Sequence, residues 1–383
     1  MNSASASGFA SWSLPFEGAM LRGVVLRRDA LPALGPTVLL HAGPPFQGEP
    51  PSAVRQACVQ ALLFEGLAAD AAQARAMLSA GAVELQPAQD HGVATPLAQV
   101  VSASMPLAAV GDAASVAWAP LVEGPPPALR FGTEASEART RLSAITVFGL
   151  QRLAPLLRAH PVALAPIVAR ALAEGDECHA RTGAANTALV DAIDGLADDD
   201  RVALRANPGF VLTLLMAAAC WRLRRATRGL AAVGGNGIDF GLRLHGERGW
   251  HRSRAAPPAG TRMPGHADTE ALGAIGDSAV IDFCGLGGQA LAAAPALREE
   301  WQQVLPEALA MRRAAVIDPA TGLVDAARVA ASGLAPLVDL AILDRQGAHG
   351  LIGRGVFTPE AALFARALAA SSFLPPDSTQ ELP

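Results

Sequence analysis

The sequence contains no lysine and no tyrosine, and aromatic residues make up only 4% of its 383 residues. Apart from histidine, its 30 basic side chains are therefore all arginines. The absence of lysine excludes Schiff-base chemistry on this chain and also excludes a P-loop, whose lysine contacts phosphate groups. Any anionic ligand must be held by arginine, histidine or backbone N–H groups.

Charged residues are also scarce, at 17% of the chain, and 30 basic residues stand against 35 acidic ones to give a net charge of −5. Such a chain offers no excess of positive charge to bind the phosphates of a nucleic acid, so we expect no nucleic-acid partner. No apolar run reaches the about 20 residues of a membrane span. The densest run, Phe210 to Trp221, stops at Arg222 and predicts a buried helix without membrane association.

Cysteines are few and widely spaced, and no two of them form a CxxC pair. This arrangement predicts reduced thiols in a cytoplasmic protein. The N-terminal segment, Met1 to Pro15, has neither the basic start nor the continuous apolar stretch of a secretory signal, and it predicts a loose tail. The four cysteines are Cys58, Cys178, Cys220 and Cys284.

With 51% hydrophobic residues, a chain of this length can build two or three domains with a sizeable core. Strand patterns lie before and after a block of consecutive helices, without a regular βαβ alternation. This order predicts an α+β fold in which mixed α/β lobes flank an inserted all-helical subdomain. The predicted division is a flexible tail over 1–20, an α/β lobe over 21–135, the helical subdomain over 136–232, a second α/β lobe with a glycine-rich loop over 233–374, and a flexible tail over 375–383.

Turn residues and hydrophobic periodicity place the individual elements. Ser52 and Asp70 are typical helix N-caps, and Gly81 is a typical helix end. Apolar alternation from 238 to 244 predicts a strand whose hairpin partner covers 250–254. Further predicted elements are strands over 37–41, 83–85, 97–110, 114–122, 279–283 and 336–343, and helices over 53–67, 71–80, 161–175, 176–195, 198–206, 209–226, 298–314, 323–331 and 359–370.

The densest polar cluster runs from Gly175 to Arg181 and contains Asp176, Glu177 and His179. In a helix, Asp176 and His179 would stand on one face, three residues apart. One interpretation makes this face the wall of a site, with His179 as general acid/base or anion ligand and a carboxylate orienting it. The alternatives are a capping Asp176 among solvated neighbours, and a metal site, although neither HExxH nor CxxC spacing is present.

Two further histidines stand beside predicted strand ends, where side chains often line clefts. His41 ends the strand over 37–41, and His91 lies in the segment Asp90–Gly92 between two predicted strands. A purely structural role is the alternative for both histidines.

A glycine-rich turn offers a possible anion site. Ile275–Ser278 and Gly285–Gly288 precede a predicted alanine-rich helix, and free backbone N–H groups at such a turn suit a carboxylate or a phosphate. Tight packing of glycine against a helix is the alternative. The pattern is not GxGxxG, so NAD binding is disfavoured and we expect no cofactor.

The segment from Asn236 to Arg243 carries a second candidate. Arg243 is a plausible clamp for a substrate carboxylate, because guanidinium groups bind carboxylates with two parallel hydrogen bonds. The alternatives are a simple turn at Asn236 and pairing of Arg243 with Asp239 on the same strand face.

Several segments, taken in order over about residues 25–370, resemble the YlbE-type family, formerly of unknown function, which includes a subunit of oxamate carbamoyltransferase. Each motif is short, and their order and spacing carry the resemblance. The segments are Leu39–Pro45, Phe64–Gly66, Asp90–Gly92, Ser104–Pro106, Gly175–His179, Asn236–Gly237 with Phe240–Gly241, and Ile275–Ser278 with Gly285–Gly288.

The resemblance implies an α+β fold with a helical subdomain, and a reaction of anaerobic allantoin and purine breakdown. In that reaction oxalurate and phosphate give oxamate and carbamoyl phosphate, which a carbamate kinase then uses to make ATP. The resemblance also implies other subunits, an FdrA-like one and a further small one. We therefore expect a small anionic substrate, and either a homo-oligomer or a complex with an FdrA-like partner.

This reaction assigns roles to the candidate residues. Phosphate attack on a ureido carbonyl needs an anion pocket, donors for the developing oxyanion and an acid for the departing nitrogen. The predicted roles are proton transfer by His179 or His91, orientation of these groups by Asp176, Glu177 and Asp277, binding of a substrate carboxylate by Arg243, binding of an anionic group by Gly285, Gly287 and Gly288, and further substrate contacts by His41, Asn236 and Ser278.

Two other functions stay open on the sequence alone. The chain could be a metal-assisted hydrolase of a ureido or cyclic amide substrate, with a divalent metal held by His41, His91, Asp176 and His179. It could instead be a non-catalytic partner that shapes an active site on another subunit.

Overall fold

The computed structural model describes residues 9–371 and contains helices and strands without a regular βαβ alternation, which confirms the predicted α+β class. The strands are β1 (Met20–Leu26), β2 (Val38–His41), β3 (Glu84–Pro87), β4 (Pro106–Gly111), β5 (Val116–Pro120), β6 (Val162–Ala163), β7 (Leu230–Asn236), β8 (Asp239–Leu244), β9 (His251–Arg254), β10 (Ala259–Arg262), β11 (Ile275–Gly276), β12 (Val338–Leu343) and β13 (Leu351–Phe357).

Among residues 9–371, six of the fourteen α-helices fall in one block between β5 and β7. The α-helices are α1 (Arg27–Ala30), α2 (Ser52–Phe64), α3 (Ala71–Ser79), α4 (Glu137–Phe148), α5 (Ala154–Ala159), α6 (Leu164–Ala173), α7 (Gly183–Ala192), α8 (Asp198–Arg205), α9 (Gly209–Arg225), α10 (Ala279–Phe283), α11 (Pro295–Glu300), α12 (Leu309–Val316), α13 (Ala326–Ser332) and α14 (Ala361–Ser371).

The strands form small sheets that are almost entirely antiparallel. Their orders are β5-β4-β1-β6, β10-β13-β12 and β11-β7-β8-β9. Strands β2 and β3 pair in parallel, and helices α2 and α3 supply the crossover that a parallel pair requires. The predicted hairpin of β8 with β9 is confirmed, with Phe240 opposite Ser253.

One large hydrophobic core joins the helical block to the segments before and after it. Phe16, Leu214 and Phe364 are all fully buried and belong to this same core. A second core lies under the β2–β3 pair and includes Leu39 and Leu62. The helices therefore share their packing with both flanking segments, and the predicted division of the chain into domains stays a prediction.

Helix α9 is the centre of the large core. Its sequence is apolar on nearly every side from Phe210 to Trp221, and such a helix is buried all round. Arginines in its last turn, Arg222, Arg224 and Arg225, suit the negative end of the helix dipole. Within residues 9–371, no single helix is long and apolar enough to cross a membrane, and only α8 and α9 taken together reach that length, across a bend of 79°.

The predicted N-terminal tail is wrong for the residues that the structure describes. A 3₁₀ helix covers Ala10–Phe16, Phe16 is fully buried, and β1 begins at Met20. A large aromatic side chain placed in the core fixes this segment, which composition alone had marked as loose. Residues 1–8 and the predicted tail over 375–383 lie outside the described residues.

Several local predictions also need correction. Asp70 caps α3 as predicted, accepting a hydrogen bond from the backbone N–H of Gln73 at 2.8 Å, whereas Ser52 is the first helical residue of α2 and makes no capping bond. Residues 279–283 form helix α10, not a strand. The predicted helix over 176–195 begins only at Gly183, and the strands β7, β10 and β13 had no clear alternation to reveal them.

Candidate active site

The segment Gly175–Thr182 is a loop rather than the first turns of a helix, so Asp176 and His179 do not share a helix face. The predicted alternative of a capping Asp176 among solvated neighbours is correct only in part, because Asp176 caps a helix that begins at Gly183 and its neighbours Glu177 and His179 are buried. Oδ2 of Asp176 accepts hydrogen bonds from the backbone N–H groups of Ala184 at 2.8 Å and Ala185 at 3.1 Å, in the first turn of α7. Asp176 therefore anchors the loop to a helix N-terminus, where a carboxylate is favourable.

Glu177 stabilises the rest of this loop through hydrogen bonds to its backbone. Its fully buried carboxylate accepts backbone hydrogen bonds from His179 at 3.1 Å, Arg181 at 2.9 Å, and also Ala180. Burial raises the pKa of Glu177 from its ordinary value of 4.5 to about 7. Glu177 thus fixes the backbone at His179, and its predicted role in orienting the catalytic groups stays a prediction.

A second buried carboxyl group lies against Glu177. Asp339, on β12, is fully buried, and within the described residues neither of its carboxyl oxygens accepts a hydrogen bond from a donor. It lies beside the carboxyl group of Glu177. Burial, together with the negative charges of Glu177 and Asp282, raises the pKa of Asp339 well above its ordinary value. Closely packed buried acids disfavour each other's ionisation, which is the direction of this shift.

The partner of the imidazole is Asp282, in α10. Its Oδ2 lies 2.8 Å from Nδ1 of His179, and its Oδ1 accepts backbone hydrogen bonds from Gly288 at 2.7 Å and Asp339 at 3.0 Å. The side chain of Asp282 is fully buried and that of His179 is only 5% exposed. A carboxylate at Nδ1 fixes the tautomer and the ring orientation and leaves Nε2 for a ligand.

The predicted anion site in the glycine-rich turn is wrong, because the structure uses these N–H groups internally. Gly285 donates to the carbonyl of Asp282, Gly287 to the carbonyl of Glu177, and Gly288 to the Asp282 carboxylate. Gly287 has φ +52°, and a Cβ there would overlap Oδ1 of Asp282 and approach Cβ of His179 to 3.0 Å. Tight packing, the stated alternative, is the role of these glycines.

His179 opens onto a cavity of about 570 Å³, which we call the His179 cleft. Of the predicted substrate-binding residues, Ser278 lines it. Its walls combine polar side chains with apolar ones from β12 and from the start of α9. The lining residues are Pro96, Leu97, Arg130, Phe131, His179, Ala180, Thr182, Gly209, Leu212, Thr261, Arg262, Met263, Pro264, Ser278, Glu300, Leu340, Ala341, Leu351, Gly353 and Arg354.

Three arginines that are not among the predicted site residues line this cleft. Arg354 is paired with Glu300, with its Nη2 lying 2.6 Å from the carboxylate. Arg130 and Arg262 differ from it, because in each the Nη1 nitrogen is buried and has no hydrogen-bond partner among residues 9–371. No motif marks either residue, and each reaches the cleft only through the packing of distant elements.

Arg243, the predicted clamp for a substrate carboxylate, lies outside the His179 cleft. Nη1 of Arg243 lies 2.6 Å from the carboxylate of Asp90, and its guanidinium carbon lies 5.8 Å from the ring centre of Trp250. Its predicted alternative partner, Asp239, is not involved in that ion pair. Arg243 therefore joins β8 to the segment after β3, and it is not among the residues that line the His179 cleft.

Asp277 and Asn236 join loops to the β7–β11 pair. The buried carboxylate of Asp277 accepts hydrogen bonds from Gly43 N at 2.9 Å, Gln89 Nε2 at 2.6 Å and Thr95 N at 2.9 Å. Burial raises its pKa to about 7 although these three donors lower it. Asn236 closes a turn by accepting from the N–H of Asp239. Asp277 thereby positions the wall segment that follows Thr95, and it does not reach His179.

The two other histidines have structural partners. Nε2 of His91 lies 2.6 Å from Oε1 of Gln86. His41 is buried, its Nδ1 lies 2.8 Å from the carbonyl of Ala42, and its ring packs on Phe46. Burial lowers the pKa of His41 to about 4, so it is neutral at physiological pH. Neither histidine lines the His179 cleft, so the alternative assignment of proton transfer to His91 has no geometric support.

The residues named for a metal-assisted hydrolase do not come together. Asp176 caps α7, His179 pairs with Asp282, and His41 and His91 pair with other groups. Among the side chains of residues 9–371, no group of three or more histidine, cysteine, aspartate and glutamate residues is arranged to hold a metal ion.

The fold and the cleft define an α+β protein with a histidine–carboxylate pair at a cavity that contains arginine. Comparison with known proteins narrows this class. Residues 83–278 match the family model described as "Oxamate carbamoyltransferase subunit AllG". The subunit of that name from Escherichia coli (strain K12) is 30% identical, over 87% of this chain and 88% of its own length. The chain belongs to this family, which confirms the resemblance found in the sequence.

Two further relatives have no described function. The uncharacterized protein YahG of Escherichia coli (strain K12) is 29% identical, over 89% of this chain and 80% of its own length. The crystal structure of a conserved protein of unknown function from Enterococcus faecalis V583 superposes with a TM-score of 0.80 at 26% identity. That alignment covers 96% of this chain and 97% of the other, so the whole fold is shared.

The buried carboxyl groups predict a pH-dependent stability. Because the pKa of Glu177 in the folded protein, about 7, lies above its ordinary value of 4.5, folding binds a proton between these values. This contribution is complete below about pH 4.5 and is lost as the pH rises to about 7, by up to about 1.4 kcal/mol for each pH unit. Asp277 contributes in the same direction. Urea unfolding at pH 5, 6, 7 and 8 should show the free energy of unfolding falling from pH 5 to about pH 7.

Asp339→Asn provides the matched comparison. Asparagine cannot ionise, so one of the two neighbouring buried carboxyl groups no longer titrates and the slope should become shallower. A slope equal to that of the unmodified protein would show that the Glu177–Asp339 pair does not titrate in this interval.

Proposed function

We propose that this chain is the subunit of an enzyme of the oxamate carbamoyltransferase type that carries proton transfer for the reaction. In this proposal oxalurate and phosphate give oxamate and carbamoyl phosphate. The observation that carries it is the pair of His179 Nδ1 and Asp282 Oδ2, 2.8 Å apart, at the His179 cleft of a chain that belongs to this family.

The bond changes define what the site must supply. A phosphate oxygen attacks the ureido carbonyl carbon, a C–O bond forms, and the C–N bond to the oxamate nitrogen breaks. The departing nitrogen needs a proton, which the imidazolium of His179 donates from Nε2, and the proton that the attacking hydrogen phosphate loses restores the imidazolium. Asp282 accepts the hydrogen bond from Nδ1 and stabilises the charged ring. In the reverse direction neutral Nε2 removes a proton from the amide of oxamate.

The neighbouring cysteine does not supply a covalent route. Cys178 is fully buried, and burial raises its pKa well above the ordinary value, so its thiol stays protonated at neutral pH. Direct attack by phosphate needs no nucleophile from the protein, which agrees with the arrangement around His179.

The related protein from Escherichia coli is named as a subunit, and we extend the proposal accordingly. The chain acts with an FdrA-like subunit and a further small subunit, or as a homo-oligomer, in allantoin or purine breakdown. The cytoplasm is the proposed location, since the four buried cysteines are free thiols.

The test runs the reaction from oxamate and carbamoyl phosphate, with the purified chain alone and mixed with the two proposed partner subunits. Oxamate-dependent release of phosphate, with oxalurate identified by chromatography, is the expected result in the mixture. Activity of the chain alone would assign all of the chemistry to it. Absence of oxamate-dependent turnover in the complete mixture would reject this reaction.

The same assay separates the proposal from a non-catalytic role. If the chain only shapes an active site on another subunit, a mixture that contains His179→Ala should be as active as the unmodified one. The proposal requires that mixture to lose most of its activity.

A further inference from the structure

We propose that Arg130 and Arg262 form two anion subsites in the His179 cleft, with Arg130 binding a phosphate group and Arg262 a carboxylate. This inference deepens the proposed function and rests on it for the two ligands, because carbamoyl transfer of that type brings a phosphate and a carboxylate into one cavity. It replaces the anion-binding roles that the sequence assigned to Arg243 and to the glycine-rich turn.

Two guanidinium nitrogens at the His179 cleft have no hydrogen-bond acceptor in the part of the chain that the structure describes. Nη1 of Arg130 and Nη1 of Arg262 are both buried, and neither has a hydrogen-bond partner within residues 9–371. A buried charged donor without an acceptor is costly, so such groups occur where a ligand or bound water completes them. Both residues line the same cavity. A chain without lysine has few other side chains for binding anions.

Arg262 has the features of a carboxylate site. It is the last residue of β10, which pairs with β13 and lies at the edge of its sheet. Its cleft neighbour Arg354 already pairs with Glu300, at 2.6 Å, so that carboxylate is not available to neutralise Arg262. A planar guanidinium that is partly exposed at a cavity wall suits the two coplanar oxygens of a carboxylate.

Arg130 lies deeper, at the start of the long helix α9. A Cβ placed on Gly209, the first residue of that 17-residue helix, would lie 3.4 Å from Nη2 of Arg130. Gly209 also lines the His179 cleft. The positive end of the helix dipole and the guanidinium therefore act on the same part of the cavity. That combination favours the ligand with the greater negative charge, which is phosphate.

The charge of Glu123 acts on Arg130, but among the described residues Nη1 of Arg130 and Oε2 of Glu123 each have no hydrogen-bond partner. Glu123 accepts a hydrogen bond from the backbone N–H of Leu129. Burial lowers the pKa of Arg130 to about 10, so it still carries its charge at neutral pH. A bound phosphate would accept the hydrogen bonds from Arg130 that Glu123 does not accept.

The experiment measures binding to the full chain, by calorimetry, with inorganic phosphate and with oxamate as separate probes. Arg262→Gln should weaken oxamate binding by tenfold or more and change phosphate binding by less than threefold. Arg130→Gln should show the opposite pattern. Arg243→Gln is the matched control, because it removes an arginine paired with Asp90 outside the cleft, and it should leave both affinities unchanged.

Arg130 is buried beside Glu123, so its replacement could destabilise the fold. The double variant Arg130→Gln with Glu123→Gln removes both charges together and keeps the comparison valid. Unchanged affinity for both probes in the Arg130 and Arg262 variants would overturn the proposal. An equal loss of both probes in each variant would overturn the division into two subsites.

These outcomes are distinguishable from failure of the proposed function, since binding requires no turnover. Selective loss of binding without carbamoyl transfer in the complete mixture would support the subsites and reject the reaction. Carbamoyl transfer that is unaffected in both arginine variants would support the reaction and reject the subsites.

Discussion

Replacing His179 by alanine should lower oxamate-dependent turnover by about 10²–10⁴-fold, the usual contribution of a general acid or base. His179 is the histidine that lines the cleft, and the Asp282 carboxylate 2.8 Å from its Nδ1 directs Nε2 to the ligand. Turnover should be measured per folded molecule, with the folded fraction determined by urea unfolding, because the side chain is only 5% exposed and its loss also removes packing.

Two companion variants sharpen this test. Asp282→Asn keeps the shape of the side chain and removes the charge that stabilises the imidazolium, so turnover should fall and its pH profile should shift. His91→Gln is the matched control, since that histidine pairs with Gln86 and does not line the cleft. The assignment would be wrong if His179→Ala lost stability but kept its activity per folded molecule, or if His91→Gln lost as much turnover as His179→Ala.

Gly287→Ala should destabilise the fold by about 4 kcal/mol or more, a large effect for a single methyl group. The residue has φ +52°, where an L side chain is strained by about 1–2 kcal/mol. The added Cβ would also overlap the Asp282 carboxylate, which Gly288 and His179 hold on either side. The carboxylate cannot withdraw without breaking one of these bonds, so activity should fall together with stability.

Gly333→Ala separates the cost of backbone strain from the cost of steric overlap. Gly333 has φ +67° at the end of α13, and nothing lies within 4 Å of the position of an added Cβ. Only the backbone strain of about 1–2 kcal/mol should remain in this variant. Chemical denaturation of both proteins gives the comparison. Equal losses in the two variants would mean that the contact of Gly287 with Asp282 does not limit stability.

The position of the site illustrates what local patterns can and cannot predict. Of the polar segment Gly175–His179, which the sequence predicts as the wall of a site, the structure places His179 at the cleft, whereas Asp176 and Glu177 do not line it. The helical geometry predicted for this segment is wrong, since Asp176 caps α7 and Cys178 has φ +70°. A short polar segment can close on its own backbone as readily as it can begin a helix, and only the contacts with distant residues decide between them.

No sequence pattern identified Asp282, which pairs with His179, or the buried Asp339 beside it. Asp282 falls in the short apolar run 279–283, which the sequence predicts as a strand and the structure forms as a helix. Five residues are too few for helical and strand periodicity to differ. Asp339 lies in a strand that was predicted correctly, but alternation of apolar residues does not identify the buried carboxyl group against which it packs.

Local sequence patterns were sufficient to predict the α+β class, the buried helix α9, the cap at Asp70, the β8–β9 hairpin and the family. Each depends on residues close together along the chain, or on their order, so propensity and spacing suffice. The pairing of Asp282 with His179, the burial of Asp339 beside Glu177, and the joint position of Arg130 and Arg262 at one cavity depend on tertiary packing. These residues come from separate segments, and no periodicity relates them. Their proximity follows from how the elements pack around a common core, and burial then sets the charges and protonation of the groups enclosed there.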